Sequence, residues 1–472
     1  MRKWLWIGCL LLLLIPVDVT AGMEAETGIL GNYVREGLAG NLVLKQERLS
    51  LEKSLQALKQ ARGMFLPSVS IEARYSRAGG GRDIEFPVGD LINPIHSTLN
   101  QLLAGMGKPP VFPADLQNEV IPFLRETEHE TKLRVVQPVF QPALYYNYRI
   151  QTRVRNLQAA KLNAFKRQLV LDIKKAYFDY LKTLKVKELL DGTRLLLEEN
   201  LRVSRSLFEN HKRTEEVVFR SKAELSSLEQ QIAEAEKGSR MAAAYFNFLL
   251  NRPLDTSIEI EEHFQSLFPH DNVIDLEQLE RNALEHRDEL RQLYNAIDAG
   301  REAIKLYKSS ALPTVTAVID YGFQGEKYRF DRDHDYWMAS LVMSWNLFRG
   351  GRDRAEMEQA ALEKKRLEVQ FTELENKIRL QVREAYYDLL AARKAVVSTK
   401  ERLNSREEVF HIVSKKYEQG MVPQIEHIEA RNGFTTAAIN NIIALFDYYS
   451  VEARLEQASA SYFFGGKNAE ED

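Results

Sequence analysis

Apolar residues recur at helical and strand spacing in an order that the chain uses twice. Between Gly351 and Gly420 there is neither proline nor glycine, so nothing in about 68 residues is obliged to interrupt a helix. At 1.5 Å per residue such a helix is a rod of roughly 100 Å. Ile378, Val382, Ala385, Leu389, Ala392 and Val396 follow one another at spacings alternating between four and three. This is a narrow coiled-coil seam rather than the wide apolar face of a globular helix.

Earlier in the chain the period changes several times. Leucines from Leu38 to Leu58 predict a helix over about Ile29 to Met64. Val69, Ile71, Ala73 and Tyr75 then alternate with Ser68, Ser70, Glu72 and Arg74, which predicts a strand within about 65–77. Residues 78–131, rich in glycine and proline, read as a long loop with a short helix possible at Leu99 to Met106. A second strand is expected at about 132–141, then long helices at 143–208 and 215–250. An irregular acidic connector occupies 251–275.

After the connector the pattern returns. A helix resumes at Leu276, strands are expected at about 311–324 and 336–348, and long helices at 352–419 and 424–458. Ala311-Leu312-Pro313-Thr314-Val315-Thr316 answers Phe65-Leu66-Pro67-Ser68-Val69-Ser70. Val382-Arg383-Glu384-Ala385-Tyr386-Tyr387-Asp388-Leu389 answers the stretch from Ile173 to Tyr180, an offset of about 209 residues. The chain therefore divides into a first repeat, 23–250, a second, 276–460, and a tail, 461–472. The halves differ in their hairpin loops, the first about 54 residues long and the second about 11.

Four strands cannot close a barrel, and a membrane permits no open sheet edge. Two copies give eight strands filled by their own side chains, whereas three give twelve and leave a passage. Trp337, Ala339, Leu341, Met343, Trp345 and Leu347 share one face of the last strand. Trp337 and Trp345 lie roughly 27 Å apart along it, close to the separation of two aromatic girdles once the strand tilts.

Charge and processing signals narrow the setting. A net charge of −3 gives no reason to expect nucleic acid. Arg2 and Lys3, an apolar run from Leu5 to Val17 and Val19-Thr20-Ala21 fit a signal peptide over residues 1–22. The single cysteine, Cys9, leaves with it.

These features together resemble the TolC family of outer membrane efflux proteins. The resemblance spans about Ile29 to Ala460 and rests on the duplication, the Leu-Pro strand openings, the Leu347-Phe348-x-Gly350-Gly351 junction and the turn Lys416-Tyr417-Glu418-Gln419-Gly420. It implies a mainly α protein with membrane β-structure. Two helix-strand-strand-helix-helix repeats trimerise into a 12-stranded β-barrel continued by a long α-helical barrel. The function implied is a passive exit duct of a tripartite efflux or type I secretion system. It would reside in the outer membrane, in contact with its lipid, with a large periplasmic extension. Expected partners are two further copies, a periplasmic adaptor (membrane fusion protein) and, through it, an inner-membrane transporter.

In the family the returning helix of the second repeat carries two acidic residues that form a ring at the constriction, and the matching positions are Glu426 and Glu429. Their i, i+3 spacing independently puts both carboxylates on one helix face. Tyr417 matches a latch tyrosine, expected to hydrogen-bond across to the first repeat's tip, and Gly420 closes its turn. The first tip departs from the pattern. His211 stands where the family has glycine, and the acidic latch position is Val217, with Glu216 one residue earlier.

No phosphate-binding loop, zinc-binding helix or nucleophile with a base partner is recognisable, so neither enzyme chemistry, metal nor cofactor is expected. His427 is expected to be a surface histidine, turned about 100° away from each flanking glutamate. The rival reading is a non-conducting structural coiled-coil protein of the cell envelope. Three copies of the long loop, which must be extracellular if the helices are periplasmic, are large enough to cover a channel mouth.

Overall fold

The computed structural model describes residues 28–260 and 275–461. The expected signal peptide, residues 261–274 of the connector and all but the first residue of the tail lie outside the described residues. Two compact units divide the chain: one holds residues up to Gln56, Thr152–Ala299 and those from Leu362 onward, the other Ala57–Gln151 and Gly300–Ala361.

The helix read as continuous from Ile29 is two helices, α1 (Ile29–Gly40) in the first unit and α2 (Leu42–Gly63), which runs from the first unit into the second. Asn41 makes the break. Its backbone is extended, and its side-chain oxygen accepts from Val43 N and Leu44 N, both at 3.0 Å, starting α2 as an N-cap. The same side chain donates to Leu249 O at 2.8 Å, fixing the corner onto the returning helix.

The long helices are α4 (Pro142–Glu209), α5 (Glu215–Leu250), α8 (Arg352–Glu418) and α9 (Gln424–Ala458). Both α4 and α8 begin in the unit that holds the sheet and end in the other. Ile378, Val382, Ala385, Leu389 and Val396 are buried along α8, with Ala392 half-buried. In α4 the buried face is wider than a seam and includes Ile173, Ala176, Tyr177, Phe178 and Leu181. Tyr33 of α1 and Phe246 of α5 both pack on Tyr177, which widens that face. Gly37 brings α1 close, because a Cβ there would collide with Ile173 Cδ1. After the connector, α6 (Leu276–His286) and α7 (Asp288–Lys308) are separated at Arg287, whose backbone is extended.

The second unit holds a four-stranded antiparallel sheet in the order β1 (Ser68–Arg77), β4 (Thr127–Phe140), β5 (Thr314–Gly325), β6 (Asp335–Ser344). Two strands depart from their expected bounds. β4 starts at Thr127, five residues earlier than the alternation suggests, because Thr127, His129 and Thr131 occupy the face where apolar residues would have signalled a strand. β6 ends at Ser344, which leaves Trp345 one residue beyond it, its indole donating to Ala311 O at 3.0 Å.

The expected irregular loop is also folded. Strands β2 (Asp83–Phe86) and β3 (Glu119–Pro122) pair as a small ribbon, and between them α3 runs from Val88 to Gly105. Pro94 falls inside this helix near its start. The glycine and proline content that reads as loop belongs to its connections.

Candidate functional site

Two regions carry the chemistry: the sheet, and the paired ends of the long helices.

Register sorts the sheet into two faces. One carries the rows Ile71, Leu133, Tyr321, Trp337 and Val69, Val135, Ile319, Ala339, with the large apolar members exposed. The other carries charge. Arg134 donates to both oxygens of Asp320 at 2.8 Å and pairs with Glu72 at 3.1 Å. Lys132 and the Tyr336 hydroxyl both donate to Glu130, at 2.9 and 2.6 Å. Within this face Gly322 admits the neighbouring strand, since a Cβ there would lie 2.5 Å from Thr131 O and 2.8 Å from Lys132 Cα. β1 and β6 are the two edges, each with one side unpaired among the described residues. A sheet apolar outside and ionic inside, with two free edges, is a section of a barrel wall around water.

At the other region each long helix turns back through the same closure. After α8, Gly420 has φ +74° and Met421 N donates to Lys416 O at 2.9 Å; after α4, His211 has φ 55° and Lys212 N donates to Leu207 O at 2.9 Å. Both are Schellman turns, and histidine in the left-handed conformation costs about 1 kcal/mol where glycine costs nothing.

Tyr417 does not hydrogen-bond to the first tip. Its ring stacks on His427 (centroids 4.7 Å, planes 9° apart), which in turn meets Phe410, and Phe410 stacks on Phe434. His427 is thus half-buried in a ladder of rings rather than a surface residue. Burial, and secondarily the nearby Arg431, hold its pKa below the ordinary histidine value, so the ring is neutral at pH 7.

The tips of the two repeats are tied by residues the sequence did not single out. Gln424 donates to Ser221 Oγ at 2.9 Å, and Ser221 shares a hydrogen bond with Ser204 at 3.0 Å. Arg431, its side chain 4% exposed, pairs with Glu224, 28% exposed, at 2.5 Å. Glu224 also accepts from Asn432 Nδ2 at 3.4 Å. The one signal for Arg431 is its phase: it follows Ile428 at i+3 on the buried face of α9, a position otherwise held by apolar residues.

Glu426 and Glu429 are exposed on the first turns of α9 and have no ion partner among the described residues. Glu216 pairs with Arg220 one turn along its own helix, at 2.5 Å, and His211 is exposed. Tyr417 lines a small cavity with Ser204, Ser221 and Glu224 of the first repeat, and His211 and Glu216 do not line it. Among the described residues no cluster of histidine, cysteine and carboxylate side chains is arranged to hold a metal ion. No described helix is long and apolar enough to cross a membrane.

Residues 279–461 match the family model described as outer membrane efflux protein. The CmeC outer membrane channel of Campylobacter jejuni superposes with a TM-score of 0.74 at 15% identity, over 94% of this chain and 87% of that one. VceC, an outer membrane protein of Vibrio cholerae, gives 0.71 at 14%, over 91% of this chain and 95% of that one. The open state of the MtrE outer membrane channel of Neisseria gonorrhoeae gives 0.72 at 14%, over 91% and 88%. No curated protein sequence matches significantly. The fold is that of outer membrane channel proteins. Residues 279–461 thus match the outer membrane efflux protein model, and the chain as a whole shares the fold of solved outer membrane channels.

Proposed function

We propose that three copies of the chain form the exit duct of a tripartite efflux or type I secretion system. The duct passively conducts substrates handed over by a periplasmic adaptor and an inner-membrane pump, and it is gated at the helix tips. The observation that carries this reading is the four-stranded sheet with one apolar face, one ionic face and two free edges. Twelve strands satisfy both edges and leave a polar lumen. The turns at His211 and Gly420, where each helix pair presents backbone and charge to the periplasm, are the surface offered to the adaptor.

The tips supply selectivity. Glu426 and Glu429 are exposed and without an ion partner among the described residues, so three copies bring six carboxylates to the axis. Such a ring concentrates cations and binds divalent ions that then obstruct flow. In planar bilayers the purified protein is expected to form cation-preferring channels blocked by millimolar divalent cations. Replacing Glu426 and Glu429 together by alanine removes most of the preference and the block. A double variant indistinguishable from the parent takes both residues out of the ring, and a protein that forms no channel at all overturns the duct.

A further inference from the structure

The extracellular insertion holds a helix with two opposite faces, of which only one is covered. Asn93 exchanges two hydrogen bonds with the backbone of Leu116, both at 2.9 Å. Two turns on, the Asn100 side chain accepts from Val111 N and Phe112 N at 3.1 Å and donates to Phe112 O at 2.7 Å. His96, between them, lies 2.5 Å from Pro113 O. Gly89 completes the same face, where a Cβ would collide with Leu116 O. Segment 111–118 is thereby clasped along α3.

The opposite face is apolar and open. Leu91 is 67% exposed, Ile95 58%, Leu99 37%, Leu102 62% and, just past the helix, Met106 73%. At 100° per residue these lie roughly 140° round the helix from the clasped asparagines. Ile95, Leu99, Leu102 and Met106 follow at four, three and four residues, the spacing of a helix-to-helix seam.

We propose that this seam packs against the same helix of the other copies, so that three α3 helices close the extracellular mouth of the duct. The proposal rests on the trimeric reading above. Two observations choose this occupant. First, the insertion springs from β1, an edge strand whose free side must pair with the next copy, so each α3 stands at a boundary between copies. Second, the helix contains no lysine or arginine and only one carboxylate, Asp90, whereas helices that lie on a bilayer carry a basic polar face. An exposed apolar stripe of this length on a folded module is a contact surface.

The mature chain is cysteine-free once Cys9 is removed, so single cysteines report neighbours directly. In the full-length protein, Leu102→Cys puts a thiol in the seam, and Ser97→Cys puts one on the same helix outside it. Copper phenanthroline with dioxygen removes two electrons and two protons from a pair of thiols and forms one S–S bond. The proposal predicts a disulfide-linked dimer in Leu102→Cys, reaching at most two of every three chains because three thiols on an axis leave one unpaired. Ser97→Cys stays monomeric under denaturing conditions. Absence of the dimer in a Leu102→Cys preparation whose native mass is trimeric overturns the cap and leaves the duct standing. Equal cross-linking of both variants overturns it as well. So does quenching by nitroxide lipids of a fluorophore attached to the thiol of Leu102→Cys, which would put the stripe on the membrane. A preparation that is not trimeric overturns cap and duct together.

Discussion

Arg431→Glu is expected to conduct several-fold more than the parent in bilayer recordings at the same voltage. The substitution removes the guanidinium that holds Glu224 at 2.5 Å and sets two carboxylates against each other at the tie between the repeats. Breaking a fully buried pair costs about 3–5 kcal/mol; because Glu224 is partly exposed, about 2 kcal/mol is the appropriate scale. In the proposed gate, where this tie holds the tips closed, that shifts the ratio of closed to open tips by roughly thirtyfold per subunit. Restoring opposite charges in the double variant Glu224→Arg, Arg431→Glu should return conductance toward the parent, which separates a lost tie from a collapsed helix. Parental conductance in the single variant would remove this pair from the gate.

Gly322→Val is expected to abolish the barrel. A single carbon at this position meets the backbone of β4 at 2.5 and 2.8 Å, and neither Thr131 O nor Lys132 Cα can yield without parting the two central strands. The content of folded protein in outer membranes should fall by about tenfold or more, unassembled chains being removed by periplasmic proteolysis. Gly79→Val is the control, since nothing lies within 4 Å of a Cβ there. Equal amounts of the two variants would mean that β4 and β5 do not pair as described.

The long helices were legible because they depend on absences and on period. Without proline or glycine, and with a seam at Ile378 to Val396, α8 has little else to become. The two β-hairpins were legible because one face is apolar, and only where it is: the first residues of β4 place Thr127, His129 and Thr131 on that face, which leaves no alternation to read. Asn41 and the Asn93–Asn100 clasp were hidden for a different reason. Each acts through side-chain hydrogen bonds to a backbone placed by the fold, and spacing alone does not distinguish such an asparagine from a solvated one.

The tips show the same limit. The candidate residues came from local turns and from positions in a family pattern, which located Gly420 and Tyr417. The contacts between repeats, Gln424 with Ser221 and Arg431 with Glu224, join residues more than two hundred positions apart and follow no local rule. His427 was misjudged because helix geometry separates it from Glu426 and Glu429 but says nothing of the Tyr417 and Phe410 rings that cover it.

In the proposed duct one chain supplies four strands of a twelve-stranded barrel. The most direct test of this arrangement is the native mass of the full-length protein extracted with a mild detergent from separated outer membranes. A single species of three chains is expected in that fraction. A monomer, a dimer or a protein absent from the outer membrane would contradict the arrangement, because the free edges of β1 and β6 would then have to be satisfied in some way other than by two further copies.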